Sequence, residues 1–92
     1  MPYEILYTDY VNKLGIVVED GTINHETSLK IPGRNATAYG TVIAENFLHL
    51  LENFAASTEP TTPVEGQLWY DSTPESEELK VYNGVNWITV NG

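Results

Sequence analysis

Cysteine is absent from the 92-residue sequence, which excludes a disulfide framework and any thiolate metal site. Basic residues are scarce: Lys13, Lys30, Arg34 and Lys80 stand against thirteen acidic ones, for a formal net charge of -9. Nucleic acid and anionic lipid surfaces both attract proteins through cationic patches. Four scattered cations build no such patch, so neither is expected as a partner. The acidity instead keeps a folded chain soluble. Long apolar runs are missing too, and none approaches the roughly 20 residues needed to span a bilayer. Met1-Pro2-Tyr3-Glu4 lacks the basic-then-apolar pattern of a signal peptide. Asn35-Ala36-Thr37 fits the glycosylation acceptor pattern, but without a secretion signal it reads as coincidence. One domain with a modest core is expected, because so short a chain buries only about 60–65% of the surface it exposes when unfolded.

What the chain does have is one long periodic stretch, Tyr39 to Ala55. Apolar side chains recur at Ile43, Phe47, Leu50, Leu51 and Phe54, and Ala44, Leu48 and Ala55 widen the stripe. That spacing predicts an amphipathic helix with one broad buried face. Glu45, Asn46, His49, Glu52 and Asn53 take the other side. Asn35, Thr37 and Thr41 each offer a capping oxygen, and Ser57-Thr58-Glu59-Pro60 supplies the stop. A helix over 37–56 is predicted, and its apolar face should carry the core. On that reading Phe47→Ala or Leu51→Ala costs about 2–5 kcal/mol.

The rest reads as short strands. Residues 3–10 suggest a first strand, and the β-branched run Leu14-Gly15-Ile16-Val17-Val18 a second. Asp20-Gly21 is a hairpin signal before Thr22-Ile23-Asn24. Thr27 to Ile31 is a further extended piece, closed by Pro32-Gly33. Residues 57–65, with two prolines and three threonines, should run extended as a connector. Residues 66–71 form a strand, and Leu79-Lys80-Val81-Tyr82 should pair with Trp87-Ile88-Thr89-Val90 around Asn83-Gly84-Val85-Asn86. Two-residue and four-residue turns both put Leu79, Val81, Ile88 and Val90 on one face, with Lys80, Tyr82 and Trp87 on the other. The predicted class is α+β: an N-terminal β-hairpin (1–34), one central helix, a Pro/Thr connector and a C-terminal antiparallel hairpin unit (66–92).

Few residues invite chemistry. Glu45, His49 and Glu52 share a helix face at i, i+4 and i+7, a spacing that could serve a metal or proton transfer. Helical metal sites draw further ligands from neighbouring helices, and only one helix is expected here. A solvated or subunit-contacting face is the better reading. His25 stands beside Glu26 in a loop, and Ser28, Ser57, Ser72 and Ser76 lack a triad context. No cofactor, metal or enzymatic activity is expected. Trp69, Tyr70, Tyr82 and Trp87 are a denser signal, and with Asp71 they could hold a sugar ring. The favoured reading is packing and subunit contact, for which Trp and Tyr are well suited.

Three blocks then carry a resemblance. They are Glu19-Asp20-Gly21-Thr22-Ile23-Asn24 with Thr27 to Asn35, the helix Tyr39 to Ala55, and Pro63-Val64-Glu65-Gly66-Gln67-Leu68-Trp69-Tyr70-Asp71 with Leu79 to Trp87. Together they resemble the N-terminal module of tail-fibre or baseplate-associated structural proteins of contractile-tailed bacteriophages, of the marine and cyanobacterial type. The resemblance implies a non-enzymatic assembly part located in the virion and made in the host cytoplasm. It further implies self-association, as a homotrimer, and contacts with other tail or baseplate proteins. The chain would be a short member or the attachment end of a longer fibre protein. Phe47, Leu51, Phe54, Trp69, Tyr70, Tyr82 and Trp87 are the expected interface residues. A carbohydrate-binding module touching the host surface is the alternative, and a small hydrolase a remote one.

Overall fold

The computed structural model describes residues 1–90; Asn91 and Gly92, which close the expected C-terminal unit, lie outside the described residues. The fold is α+β: one helix, two two-stranded antiparallel pairs near the N-terminus and a three-stranded antiparallel sheet near the C-terminus. Contacts gather into two compact units, residues 1–45 and 46–92, whose boundary falls inside the helix rather than at a linker.

In the first unit β1 (Tyr3–Ile5) pairs with β2 (Ile16–Val18), and β3 (Ile23–Asn24) with β4 (Ile31–Pro32). The first strand is thus shorter than the 3–10 the sequence suggests, and residues 8–12 turn instead. Val18 is fully buried, and Ile16 and Ala36 join it. The Asp20-Gly21 turn forms, with Thr22 N–H donating to the Glu19 carbonyl and Gly21 at φ 73°. It does not join β2 to β3 as a hairpin, which corrects the expectation. A tight hairpin turn of the type the Asp-Gly pair favours needs positive φ at both central residues, and here only Gly21 has it. The strands diverge and β3 finds its partner downstream. The β3–β4 ladder continues through Gly33 N–H to the Thr22 carbonyl and Gly21 N–H to the Arg34 carbonyl, each at 2.7 Å. Gly33 is required there because a side chain would run into the Glu19 carbonyl oxygen.

The helix α1 (Tyr39–Leu51) is four residues shorter at its C-terminal end than the periodicity predicts up to Ala55. Its first bond runs from Val42 N–H to the Ala38 carbonyl, so Ala38, which has no capping oxygen, sits at the N-cap at φ 59°. At the other end Asn53 N–H donates to the Leu50 carbonyl and Phe54 N–H to the His49 carbonyl at 2.8 Å. This is a Schellman motif with Asn53 in the left-handed region at φ 52°. The His49 and Phe54 rings stack 5.9 Å apart over it, supplying its side-chain contact. The helix therefore stops on Asn53, well before Pro60.

The stripe does not carry the core. Tyr39, Phe47, Leu48, Leu50 and Leu51 are all exposed, Leu51 by 81%, and the buried helical residue is Asn46, assigned above to the polar side. Strand length explains it. A 13-residue helix is about 20 Å long, whereas three-residue strands extend about 10 Å and offer no platform of that size. Among the described residues no strand makes more than marginal contact with α1.

In the second unit β5 (Leu68–Asp71), β6 (Glu78–Tyr82) and β7 (Trp87–Thr89) lie in that order. A four-residue loop joins β6 to β7, with Tyr82 opposite Trp87. Gly84 takes φ 100°, and the Asn83 carboxamide oxygen accepts from the Val85 and Asn86 N–H groups. The outer edge of β5 is covered by the chain leaving the helix. Tyr70 N–H donates to the Asn53 carbonyl, and Ala56 bridges Asp71 in parallel. That cover uses edge groups that would otherwise stand open to another chain.

Candidate functional site

The register of the three-stranded sheet sorts its residues by face. Trp69 opposes Lys80, and Tyr82 opposes Trp87, so Trp69, Asp71, Lys80, Tyr82 and Trp87 share one side. Leu68, Tyr70, Leu79, Val81 and Ile88 share the other. The division matches the sequence expectation for the β6–β7 hairpin, because sidedness survives any shift of two residues.

On the first face Trp69 is 5% exposed, and its indole N–H donates to the Ala56 carbonyl at 3.1 Å. Trp87 meets it edge-on with centroids 5.4 Å apart, and Tyr82 lies 5.1 Å from Trp87. The Lys80 ammonium sits 5.0 Å above the Trp69 ring and donates to Asp71 Oδ2 at 2.9 Å. Asp71 Oδ1 accepts from the Thr73 hydroxyl at 2.6 Å and the Thr73 N–H at 3.0 Å. The carboxylate is buried and fully supplied with donors. The Thr73 hydroxyl, then Lys80, then the Thr73 N–H hold its pKa down to about 2. The Lys80 ammonium is correspondingly stabilised and its pKa raised, chiefly by its hydrogen bond to Asp71.

Such a group has no proton to give across the working pH range, and a pKa of about 2 makes it a weak base there as well. Asp71 and Lys80 clamp β5 to β6 diagonally across the pair. Trp69, one of the expected interface residues, is buried inside its own unit, with only 5% of its surface exposed. Tyr70, Tyr82 and Trp87 are half-buried, and Phe54 is half-buried beneath His49. Phe47 and Leu51 are the two expected interface residues that the structure leaves open.

The helix trio does not converge into a metal site. His49 Nδ1 lies 3.9 Å from Glu52 Oε1 with both side chains about half exposed, and no group of three ligating side chains could hold an ion among the described residues. No described helix is long and apolar enough to cross a membrane.

Two of the surface depressions are formed by described residues alone. One, of about 410 Å³, lies beside Tyr82 and Trp87 with Glu59, Pro63 and Asn86 around it. The larger, of about 910 Å³, is an open groove in the first unit bordered by Tyr3, Ile31, Pro32, Arg34, Tyr39 and Ile43. Sequence reasoning missed the latter, since its walls come from three separate stretches. Arg34 beside Pro32-Gly33 was its only local signal. The class these features define is a small α+β protein with structural ion pairing and open apolar surface. No family model, curated protein or solved structure matches the chain.

Proposed function

We propose that this chain is a structural assembly part of a contractile phage tail, associated with a fibre or the baseplate, and that it self-associates as a homotrimer. The observation that carries the reading is the open apolar helix. Phe47 is 66% exposed, Leu48 60% and Leu51 81%, along one side of a helix in a chain of net charge -9. Contiguous apolar surface of this kind on a small protein marks a partner site. Cyclic closure around a three-fold axis would bury three equivalent helices together and leave no open contact. The resemblance of the three sequence blocks supplies the setting in the tail.

Light scattering tests the association. Near three times the 10.3 kDa chain mass is expected at micromolar concentration, and Leu51→Glu should return the chain to monomer without unfolding it. A monodisperse monomer at every concentration would overturn self-association. Mass spectrometry of purified particles from a phage encoding the chain tests the location, and its absence from the particle would sink the virion reading.

One observation favours the second reading, a carbohydrate-binding module. The smaller depression places the Tyr82 and Trp87 rings beside the Glu59 carboxylate and Asn86 carboxamide, a combination suited to a neutral sugar ring. Trp69 and Asp71 are not part of it, being buried within the unit. A glycan array on the wild type and Trp87→Ala separates the readings: binding lost with Trp87 supports this one.

A further inference from the structure

The groove of the first unit contains a cation, Arg34, that pairs with no carboxylate among the described residues. Of the four basic residues, Lys80 is bound to Asp71. Arg34 is exposed, and among the described residues its guanidinium meets only the face of the Tyr3 ring, 5.8 Å from the centroid. No carboxylate pairs with it, although the chain carries thirteen. Asp20, next to the Gly21 whose N–H bonds the Arg34 carbonyl, is engaged by the N-terminal ammonium of Met1.

The backbone that carries the guanidinium is held in place. The Arg34 carbonyl accepts from Gly21 N–H, and the Gly33 N–H is bonded to the Thr22 carbonyl, so the backbone below the side chain is pinned. Tyr3 is fixed in turn by its hydroxyl, which donates to the Pro32 carbonyl at 2.6 Å. An exposed guanidinium beside an aromatic ring still has N–H donors to offer, and their fork matches a carboxylate in two parallel hydrogen bonds. Beside it Ile31, Pro32, Tyr39 and Ile43 form apolar walls. Strand addition at this edge is ruled out, since Pro32 has no N–H and its carbonyl is taken. Recognition here must run through side chains.

We propose that this groove docks a short peptide segment of a partner protein, one that carries an aliphatic side chain next to a carboxylate. The aliphatic group fills the space between Tyr39, Ile43 and Ile31, and the carboxylate closes on Arg34. The groove is open rather than enclosed, so the segment's two ends can leave it freely. The chain's net charge of -9 disfavours acidic partners in general, so a carboxylate-bearing segment depends on a local cation such as Arg34. The groove shares Tyr39 and Ile43 with the first turns of the helix, whereas the trimer reading rests on Phe47, Leu48 and Leu51 further along it.

The test is an NMR titration of the full chain with the peptide acetyl-Gly-Leu-Glu-Leu-Gly-amide and its Gln-for-Glu counterpart. The Glu peptide should shift the Arg34 side-chain N–H and the Tyr39 and Ile43 amides, saturably, and bind at least tenfold more tightly than the Gln peptide. Arg34→Gln should erase that preference. Should Arg34→Gln fail to fold, the two-peptide comparison on the wild type decides alone. Equal affinity for both peptides, shifts mapping outside the groove, or none at millimolar peptide would overturn the proposal. So would an oligomer dispersed by Arg34→Glu with no peptide binding by the wild type, which would give the groove to a second copy of this chain.

Discussion

Asp71 accepts three hydrogen bonds from two residues, and that supply ties the stability of its sheet to pH. Its pKa falls from an ordinary value of 3.8 to about 2 in the folded chain. A carboxylate with a depressed folded pKa contributes stability that is present above pH 4 and is lost as pH falls toward 2. Lys80 works in the opposite direction: its contribution is complete below its ordinary 10.5 and fades as pH rises through its raised folded value. Melting temperature followed by circular dichroism should therefore drop between pH 4 and 2. Asp71→Asn should flatten that drop while lowering stability at neutral pH. A wild-type profile with no slope in that window would mean the Asp71 donors do not hold in solution.

The helix shows how a local motif overrides periodicity. Its apolar repeat runs on through Phe54 and Ala55, yet the backbone leaves the helix at Asn53 because the left-handed residue there completes two closing hydrogen bonds. Asn tolerates that conformation better than other residues with side chains, and Gly tolerates it best. Asn53→Ala should cost about 1 kcal/mol, while Asn53→Gly should be neutral or stabilising. Thermal melts of the pair check this, and equal losses in both would point to the Asn side chain rather than the backbone. At the other end Ala38 carries the same strain at φ 59°, so Ala38→Gly should stabilise by about 0.5–1 kcal/mol once the entropy of glycine is deducted.

Across the molecule, apolar residues outnumber the places available to bury them. Val18 and Trp69 anchor the two small interiors, and the helix stripe is left open. The sequence-based cost of 2–5 kcal/mol for Phe47→Ala or Leu51→Ala assumed a cavity, and exposed side chains leave none. In dilute monomer both substitutions should change stability by no more than about 0.5 kcal/mol. In a trimer built on the stripe the melting temperature should rise with protein concentration, and Leu51→Ala should remove most of that rise. A large loss in dilute solution would instead return the stripe to a monomer core.

Some of this was legible in the residues alone. The α+β class, the positive φ at Gly21 and Gly84, and the two-faced order of Leu79, Val81, Lys80, Tyr82 and Trp87 follow from local rules of turn and pleat. Those rules need nothing beyond neighbouring residues and a period of two. The exit at Asn53 was local as well, but its signal is a single residue set against a longer apolar repeat. Which strand pairs with which was not local. β2 takes β1 and β3 takes β4 because the turn at Gly21 sends its arms apart, and no pattern within either strand records that. Nor could periodicity tell that the helix stripe stays open, since an amphipathic repeat looks the same whether its partner is this chain or another. Burial is a property of what lies opposite, and only the tertiary structure could show that, among the described residues, the strands are too short to cover the stripe.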